Sequence, residues 1–161
     1  EYDPEFGQAL SADPSYATAI FAVGRGGKKP RKDLTTWKDA KPYMGFFYDP
    51  FFCADTPFPG EFSPGTIKTA LARFWEQYDP QDDATTWFEK IKTLADSMGF
   101  ATNMKLYKQN PDAWPGSVTD VSTFLRIALT GKTNSPDLYT VMQLLGPDRS
   151  HARIQNAINR L

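Results

Sequence analysis

The sequence has almost none of the residues on which most catalytic and metal sites are built. Among its 161 residues are one cysteine, Cys53, and one histidine, His151. A lone cysteine excludes an internal disulfide and is typical of a reducing compartment. A lone histidine with no cysteine nearby excludes the usual spacing of zinc ligands. We interpret His151 as a helix-surface residue and Cys53 as a small hydrophobic residue, so the sequence predicts no catalytic group and no metal site.

The sequence also lacks long hydrophobic runs and a strong net charge. It has no stretch of about 18 apolar residues and no visible signal peptide, so we expect no membrane association and a cytoplasmic location. The formal net charge of −1 argues against strong nonspecific binding to nucleic-acid phosphates. One segment differs, because five cations fall within eight residues: Arg25, Lys28, Lys29, Arg31 and Lys32. This run is either a solvated loop or a localised contact with a polyanion.

Apolar residues recur at helical spacing along most of the chain, and no run of alternating β-branched residues is long enough to require a sheet. Helix stops are expected at Gly99, Gly131 and Gly146. The pattern therefore predicts an all-α fold. Two apolar stripes are predicted to face the core, one over Trp37, Ala40, Met44 and Phe47, and one over Trp87, Phe88, Ile91, Leu94, Ala95 and Met98.

Between Phe46 and Phe62 the chain is rich in aromatic residues and proline. This segment is either a peptide-binding surface or, as we favour, an irregular connector whose rings fill the space between helices. We place a boundary here, which predicts a first helical subdomain over residues 1–62 and a second over residues 63–161. The chain opens at Glu1 without a methionine, so we expect it to be part of a longer protein.

The string Gly131-Lys132-Thr133 looks like the end of a phosphate-binding loop. That motif needs a glycine five residues before the glycine–lysine pair, where this sequence has Arg126. It also needs a preceding strand, whereas a helical pattern runs directly into Gly131. The string is therefore predicted to join two helices, the second of which begins at Ser135 and Pro136.

Arg126 stands on the last turns of the helix before this junction, between Leu125 and Ile127. Its guanidinium is expected to point out of the core toward the same loop. A planar guanidinium can bond to a base or stack on it, as recognition of single-stranded RNA requires. The free amides of the next helix start can donate hydrogen bonds to an oxygen of a phosphate or a base. The alternative is that Arg126 simply ties the two helix ends together.

At these residues the sequence resembles the C-terminal anticodon-binding region of bacterial glutamate–tRNA ligases. The stretch 125–131 reads L-R-I-A-L-T-G, Ser135 and Pro136 precede Leu138, and an L-G pair and an R-I pair follow. The stretch from Pro30 to Leu34 is similar to the preceding helical subdomain of that family. The resemblance extends over nearly all of the chain.

The resemblance implies that the chain grips the anticodon loop of the glutamate tRNA. Arg126, Ser135, Pro136 and Leu138 would line a pocket for splayed anticodon bases, and Arg31 would contact the third base and help to exclude the glutamine tRNA. Further contacts to the tRNA backbone are expected from Arg25, Lys28, Lys29, Lys32 and Lys132.

The family's catalytic domain carries HIGH-type and KMSK-type signatures, and this sequence has neither. The resemblance therefore implies a monomeric parent enzyme that attaches glutamate to tRNA with ATP and Mg²⁺, in which this fragment adjoins the catalytic domain. Alone, the fragment is expected to bind tRNA, to hold no cofactor and to be inactive. The two rival interpretations are a helical protein-interaction module that uses the aromatic connector and a small stand-alone enzyme.

Overall fold

A computed structural model describes residues 3–26 and 34–161. Within those ranges the chain is helical and contains no strand, which confirms the all-α prediction. Short 3₁₀ turns, at Trp37–Asp39, Gly45–Phe47, Asp49–Phe51 and Pro111–Ala113, punctuate the α-helices. The helices are α1 (Pro4–Ala12), α2 (Pro14–Ala22), α3 (Ala40–Met44), α4 (Pro64–Gln77), α5 (Ala84–Ser97), α6 (Met104–Gln109), α7 (Val118–Thr130), α8 (Leu138–Leu145) and α9 (Pro147–Arg160).

Most helices are preceded by an N-cap residue whose side chain accepts a backbone amide of the first turn. The carboxylate of Asp83 accepts the amide of Thr86 at the start of α5. At the start of α7, Ser117 and Asp120 form a reciprocal capping box, in which the Asp120 carboxylate accepts the Ser117 amide at 2.7 Å. These bonds satisfy amides that have no partner within the helix. Both starts follow directly from the local sequence.

The core is formed mainly by α4, α5, α7, α8 and α9. Helix α4 packs against α5, α7 and α9, and α7 also packs against α5 and α9. Phe74, Ile91, Phe124 and Leu129 are almost completely buried at the centre of this arrangement. Each large apolar side chain buried in this way contributes about 1.5–3 kcal/mol through removal of its surface from water.

Two predicted core positions are wrong. Trp37 is 81% exposed and Phe88 is 41% exposed, while Trp87 beside it is 5% exposed. Phe88 follows Trp87 on a helix, so the two side chains point about 100° apart and only one of them faces the core. Residues 37–47 do not form one continuous helix, because 3₁₀ turns flank the five residues of α3. A single 3.6-residue period therefore could not locate the indole of Trp37.

The aromatic connector packs against the core, as the connector interpretation predicts. Phe46 and Phe47 are 1% and 0% exposed. The ring of Phe62 meets that of Phe124 edge to face at 5.0 Å. The buried rings of Phe46 and Phe47 are not available as a surface for a peptide.

Two arginines of α9 join the C-terminal helix to the first 62 residues. Arg149 donates to the carbonyl oxygen of Phe47 at 2.9 Å and to the hydroxyl of Tyr16 at 2.7 Å. Arg153, which is 5% exposed, donates to a carboxylate oxygen of Asp49 at 2.7 Å. Burial lowers the pKa of Arg153, and its hydrogen bond to Asp49 opposes that shift. The division into subdomains at residue 62 stays a prediction.

Candidate nucleic-acid interface

The candidate site is the junction between α7 and α8, residues 130–137, which we call the elbow. Helix α7 ends at Gly131, whose φ of +65° lies in the left-handed region that glycine adopts without strain. The Gly131 amide donates to the carbonyl oxygen of Ile127 at 2.8 Å. Because the string Gly131-Lys132-Thr133 follows a helix and not a strand, its rejection as a nucleotide loop is confirmed.

The hydroxyl of Thr130 makes hydrogen bonds at the start of the elbow. Its hydroxyl donates to the carbonyl oxygen of Arg126 at 2.7 Å, on the preceding turn of α7. The same hydroxyl oxygen accepts the amide of Lys132 at 3.2 Å. Thr130 is 1% exposed, so these bonds are shielded from water and fix the direction in which the chain leaves the helix.

Arg126 joins the two sides of the elbow. Its Nη1 donates to the hydroxyl of Ser135 at 2.5 Å and to the carbonyl oxygen of Pro136 at 3.1 Å. The prediction that this guanidinium points out of the core toward the loop is therefore confirmed. The guanidinium also ties the end of α7 to the turn before α8, as the alternative interpretation expects.

Helix α8 begins later than the sequence predicts. Asp137 is its N-cap, and the Asp137 carboxylate accepts the amide of Thr140 at 2.9 Å and its hydroxyl at 2.8 Å. Ser135 cannot cap this helix, because its hydroxyl is held by Arg126 and donates to Pro136 O. Asp137 therefore occupies part of the helix start that the sequence suggested for an oxygen of the ligand.

The predicted site residues differ in exposure. Ser135 and Leu138 are 3% and 4% exposed, and Pro136 is also buried, so these residues form the inner wall of the elbow. Lys132 and Arg126 are half-buried. Sequence reasoning missed Thr133 and Asn134, which are exposed and offer a hydroxyl and an amide at the surface. The only available signal was the position of two polar residues between the glycine stop and Pro136.

The aromatic connector holds the elbow from its other side. The hydroxyl of Thr56 donates to the carbonyl oxygen of Gly131 at 2.5 Å. A Cβ atom added to Gly131 would lie 2.0 Å from the carbonyl oxygen of Cys53. Gly131 is therefore required both by its backbone angle and by the close approach of a second chain segment.

The basic run is described only in part. Arg25 is exposed, and its Nη2 donates to the carbonyl oxygen of Leu34 in a long contact of 3.5 Å. The other candidates of this run, Lys28, Lys29, Arg31 and Lys32, lie outside the described residues. Their contacts with tRNA stay predictions.

Several residues outside the elbow concern the predictions about metal, histidine and cysteine chemistry. Within residues 3–26 and 34–161, no group of three or more histidine, cysteine, aspartate or glutamate side chains could hold a metal ion. His151 is exposed and stacks on Trp75 at 4.7 Å. Cys53 is exposed, and its interpretation as a small hydrophobic residue stays a prediction. No helix in the described part of the chain has the length and hydropathy to cross a bilayer.

The chain is similar to known proteins in two ways. The profile of a family described as an anticodon binding domain matches residues 117–158, which include all of α7, the elbow and α8. A glutamate–tRNA ligase of Sorangium cellulosum is 40% identical over 156 residues, which are 96% of this chain and 27% of that enzyme. The glutamate–tRNA ligase of Acetivibrio thermocellus is 37% identical over 98% of this chain and 29% of its own length.

A glutamate–tRNA ligase of Clostridium perfringens is 33% identical over 96% of this chain and 29% of its own length. The chain thus spans less than a third of each of these relatives, and nearly all of it takes part in the similarity. The predicted resemblance is confirmed: nearly the whole chain is similar to one region of glutamate–tRNA ligases, and part of it matches an anticodon binding domain.

Proposed function

We propose that the chain binds the anticodon loop of a glutamate tRNA, with unpaired bases held against the elbow. The observation that carries this proposal is the geometry of Arg126, whose guanidinium joins α7 to Ser135 and Pro136. The exposed residues Thr133 and Asn134 lie between the two chain segments that Arg126 connects, directly before Ser135. The match of residues 117–158 to an anticodon binding domain supports the assignment.

The chemistry of the elbow suits unpaired bases. Single-stranded RNA is recognised through the edges of splayed bases, which carry both hydrogen-bond donors and acceptors. The amide of Asn134 offers both kinds of group, and the hydroxyl of Thr133 can donate or accept. Ser135, Pro136 and Leu138 shape the pocket from its buried side. The half-buried Lys132 supplies a positive charge for a nearby phosphate.

The basic run, residues 25–32, would make further contacts with the tRNA. Arg31 would contact the third anticodon base and so help to exclude the glutamine tRNA. Arg25, Lys28, Lys29 and Lys32 would contact backbone phosphates, which carry affinity but no sequence information. The family resemblance supports the role of Arg31, and the density of positive charge in the sequence supports the phosphate contacts.

We propose further that the chain serves a longer protein that attaches glutamate to this tRNA with ATP and Mg²⁺. The names of the relatives and the small share of their length that the chain covers support this role. The catalytic domain, as the second partner, would lie elsewhere in the same chain. The fragment alone would be inactive, and the whole protein would act as a cytoplasmic monomer.

The test is RNA binding by the 161-residue chain and by its Arg126→Ala variant. The probe is a fluorescently labelled anticodon stem–loop of the glutamate tRNA, and the readout is fluorescence anisotropy. We expect Arg126→Ala to weaken binding by about 1–3 kcal/mol. The matched control is Arg73→Ala, which removes the same charge from an exposed position on α4 and should change binding by less than about 0.5 kcal/mol.

Equal losses in the two variants would show that net charge, and not the elbow, determines the affinity. No binding by the unmodified chain in low salt would refute the proposed function. The salt dependence of the unmodified chain provides a second check, because phosphate contacts release counterions and weaken as salt rises.

A further inference from the structure

Trp37 is the most exposed tryptophan among the described residues. Its side chain is 81% exposed, while Trp87 is 5% exposed and Trp75 and Trp114 are half-buried. Tryptophan has the largest apolar surface of any side chain and usually buries most of it. An indole left in water is therefore a feature that folding does not explain.

The backbone before Trp37 is fixed by hydrogen bonds, and its indole contacts another aromatic ring. The carboxylate of Asp39 accepts the amides of Thr35 and Thr36 at 3.1 and 2.8 Å and bonds to both threonine hydroxyls, which fixes the backbone just before Trp37. The edge contact between the rings of Trp37 and Phe21 has a centroid distance of 5.9 Å and an interplanar angle of 81°. The contact with Phe21 restricts the ring before a ligand arrives, which lowers the entropy cost of stacking on it.

One side of this indole borders a cavity of about 800 Å³ between α1, α2 and residues 34–40. This volume is within the range of about 300–1,000 Å³ that is typical of small-molecule sites. Its walls are mostly apolar and include Leu10, Phe21 and Leu34. Of the described residues that line it, Arg25 is the only charged one. The cavity therefore combines an aromatic surface with a cation.

A second cavity, of about 1,010 Å³, is also lined by Trp37 and has a different charge pattern. Asp3 and Glu5 line it together with Lys38 and Lys41. Lys41 is already paired with the carboxylate of Asp3 at 2.5 Å. A phosphate would be repelled by the carboxylates there, so the charge pattern favours a nucleotide in the cavity that contains Arg25.

We propose that Trp37 stacks an unpaired base of the bound RNA and that Arg25 contacts the phosphate of the same nucleotide. This inference rests on the proposed RNA-binding function and adds a contact outside the elbow. Every base has a face on which an indole can stack, so Trp37 contributes affinity without selecting a base. Proteins that bind single-stranded nucleic acids combine aromatic side chains, on which bases stack, with arginine side chains.

The experiment measures the affinity of the 161-residue chain for the same labelled stem–loop in the variants Trp37→Leu and Trp37→Phe. We expect Trp37→Leu to weaken binding about 10-fold and Trp37→Phe about 3-fold or less, because phenylalanine keeps a stacking surface. The control Phe88→Leu removes another exposed aromatic ring, on α5, and should leave the affinity within about 2-fold. Unchanged thermal unfolding of each variant would establish that the fold is intact.

A fully paired RNA duplex serves as the second probe, because it has no unpaired base to stack. Trp37→Leu should leave duplex binding unchanged if the inference is right. If Trp37→Leu binds the stem–loop like the unmodified chain while Arg126→Ala loses affinity, the inference is refuted and the proposed function stands. If the unmodified chain binds neither probe, both proposals are refuted.

Discussion

Substitution of Gly131 by alanine tests the described structure of the elbow. The added methyl group should reduce the stability of the chain in two separate ways. The first cost comes from the backbone, since φ is +65° and an L-residue in this region is strained by about 1–2 kcal/mol. The second comes from the connector, since the new Cβ would lie 2.0 Å from the carbonyl oxygen of Cys53 and 3.0 Å from its carbonyl carbon. Both contacts are with backbone atoms, which cannot rotate away as a flexible side chain can.

Relief of that clash requires a shift of the connector or of the elbow, which we estimate at about 1–3 kcal/mol from the cost of overpacking a core. Gly131→Ala should therefore destabilise the chain by about 2–5 kcal/mol in total. Gly99→Ala is the matched control. Gly99 has a φ of +72°, and nothing lies within 4 Å of an added Cβ, so only the backbone cost applies.

The measurement is the free energy of unfolding from urea denaturation, followed by RNA binding of the folded variants. Gly131→Ala should lose more stability than Gly99→Ala, and it should also lose RNA affinity because the elbow has moved. If both variants lose the same stability, the connector does not approach Gly131 as described. The reasoning about the elbow would then be refuted.

Two other predictions concern charged groups. Asp49→Ala should destabilise the chain by about 1.5–3 kcal/mol, because it leaves the buried guanidinium of Arg153 without its carboxylate partner. The control is Glu89→Gln, which removes the exposed ion pair with Lys92. In the same urea measurement it should destabilise the chain by less than about 0.5 kcal/mol. Hydrogen bonds from Thr86 lower the pKa of Asp83 below its unfolded value, so its stabilisation is present above about pH 4 and is lost as the pH falls through the folded-state pKa. Asparagine caps a helix without titrating. The stability advantage of the unmodified chain over Asp83→Asn should therefore be larger at about pH 6 than at about pH 3, and an equal difference at both values would contradict this assignment.

Features that depend on a few neighbouring residues were predictable from the sequence. The capping of α5 by Asp83, the capping box of Ser117 and Asp120, and the stop at Gly131 all use residues within one helical turn of each other. Such signals need no knowledge of the tertiary fold. The direction of Arg126 was predictable for the same reason, because its two apolar neighbours on α7 face the core.

Features that depend on distant segments were not predictable. Serine followed by proline is a common helix start, so the sequence predicts that α8 begins at Ser135. In the structure the hydroxyl of Ser135 bonds to Arg126, nine residues earlier, and Asp137 takes over the cap. The exposure of Trp37 likewise depends on where 3₁₀ turns interrupt the helical period. The sequence pattern contained no information about these competing contacts.

The elbow depends on contacts with residues outside the range that matches the anticodon binding domain. That domain matches residues 117–158, yet the carbonyl oxygen of Gly131 is held by Thr56 and its Cα is approached by Cys53. Within the matched range, Arg153 obtains its carboxylate partner from Asp49. A segment limited to residues 117–158 would lack these three contacts and would keep only the internal bonds of the elbow, such as those of Arg126 and Thr130. Asp49, Cys53 and Thr56 of the connector are therefore part of the structure that holds the elbow in place, whether or not the connector contacts RNA itself.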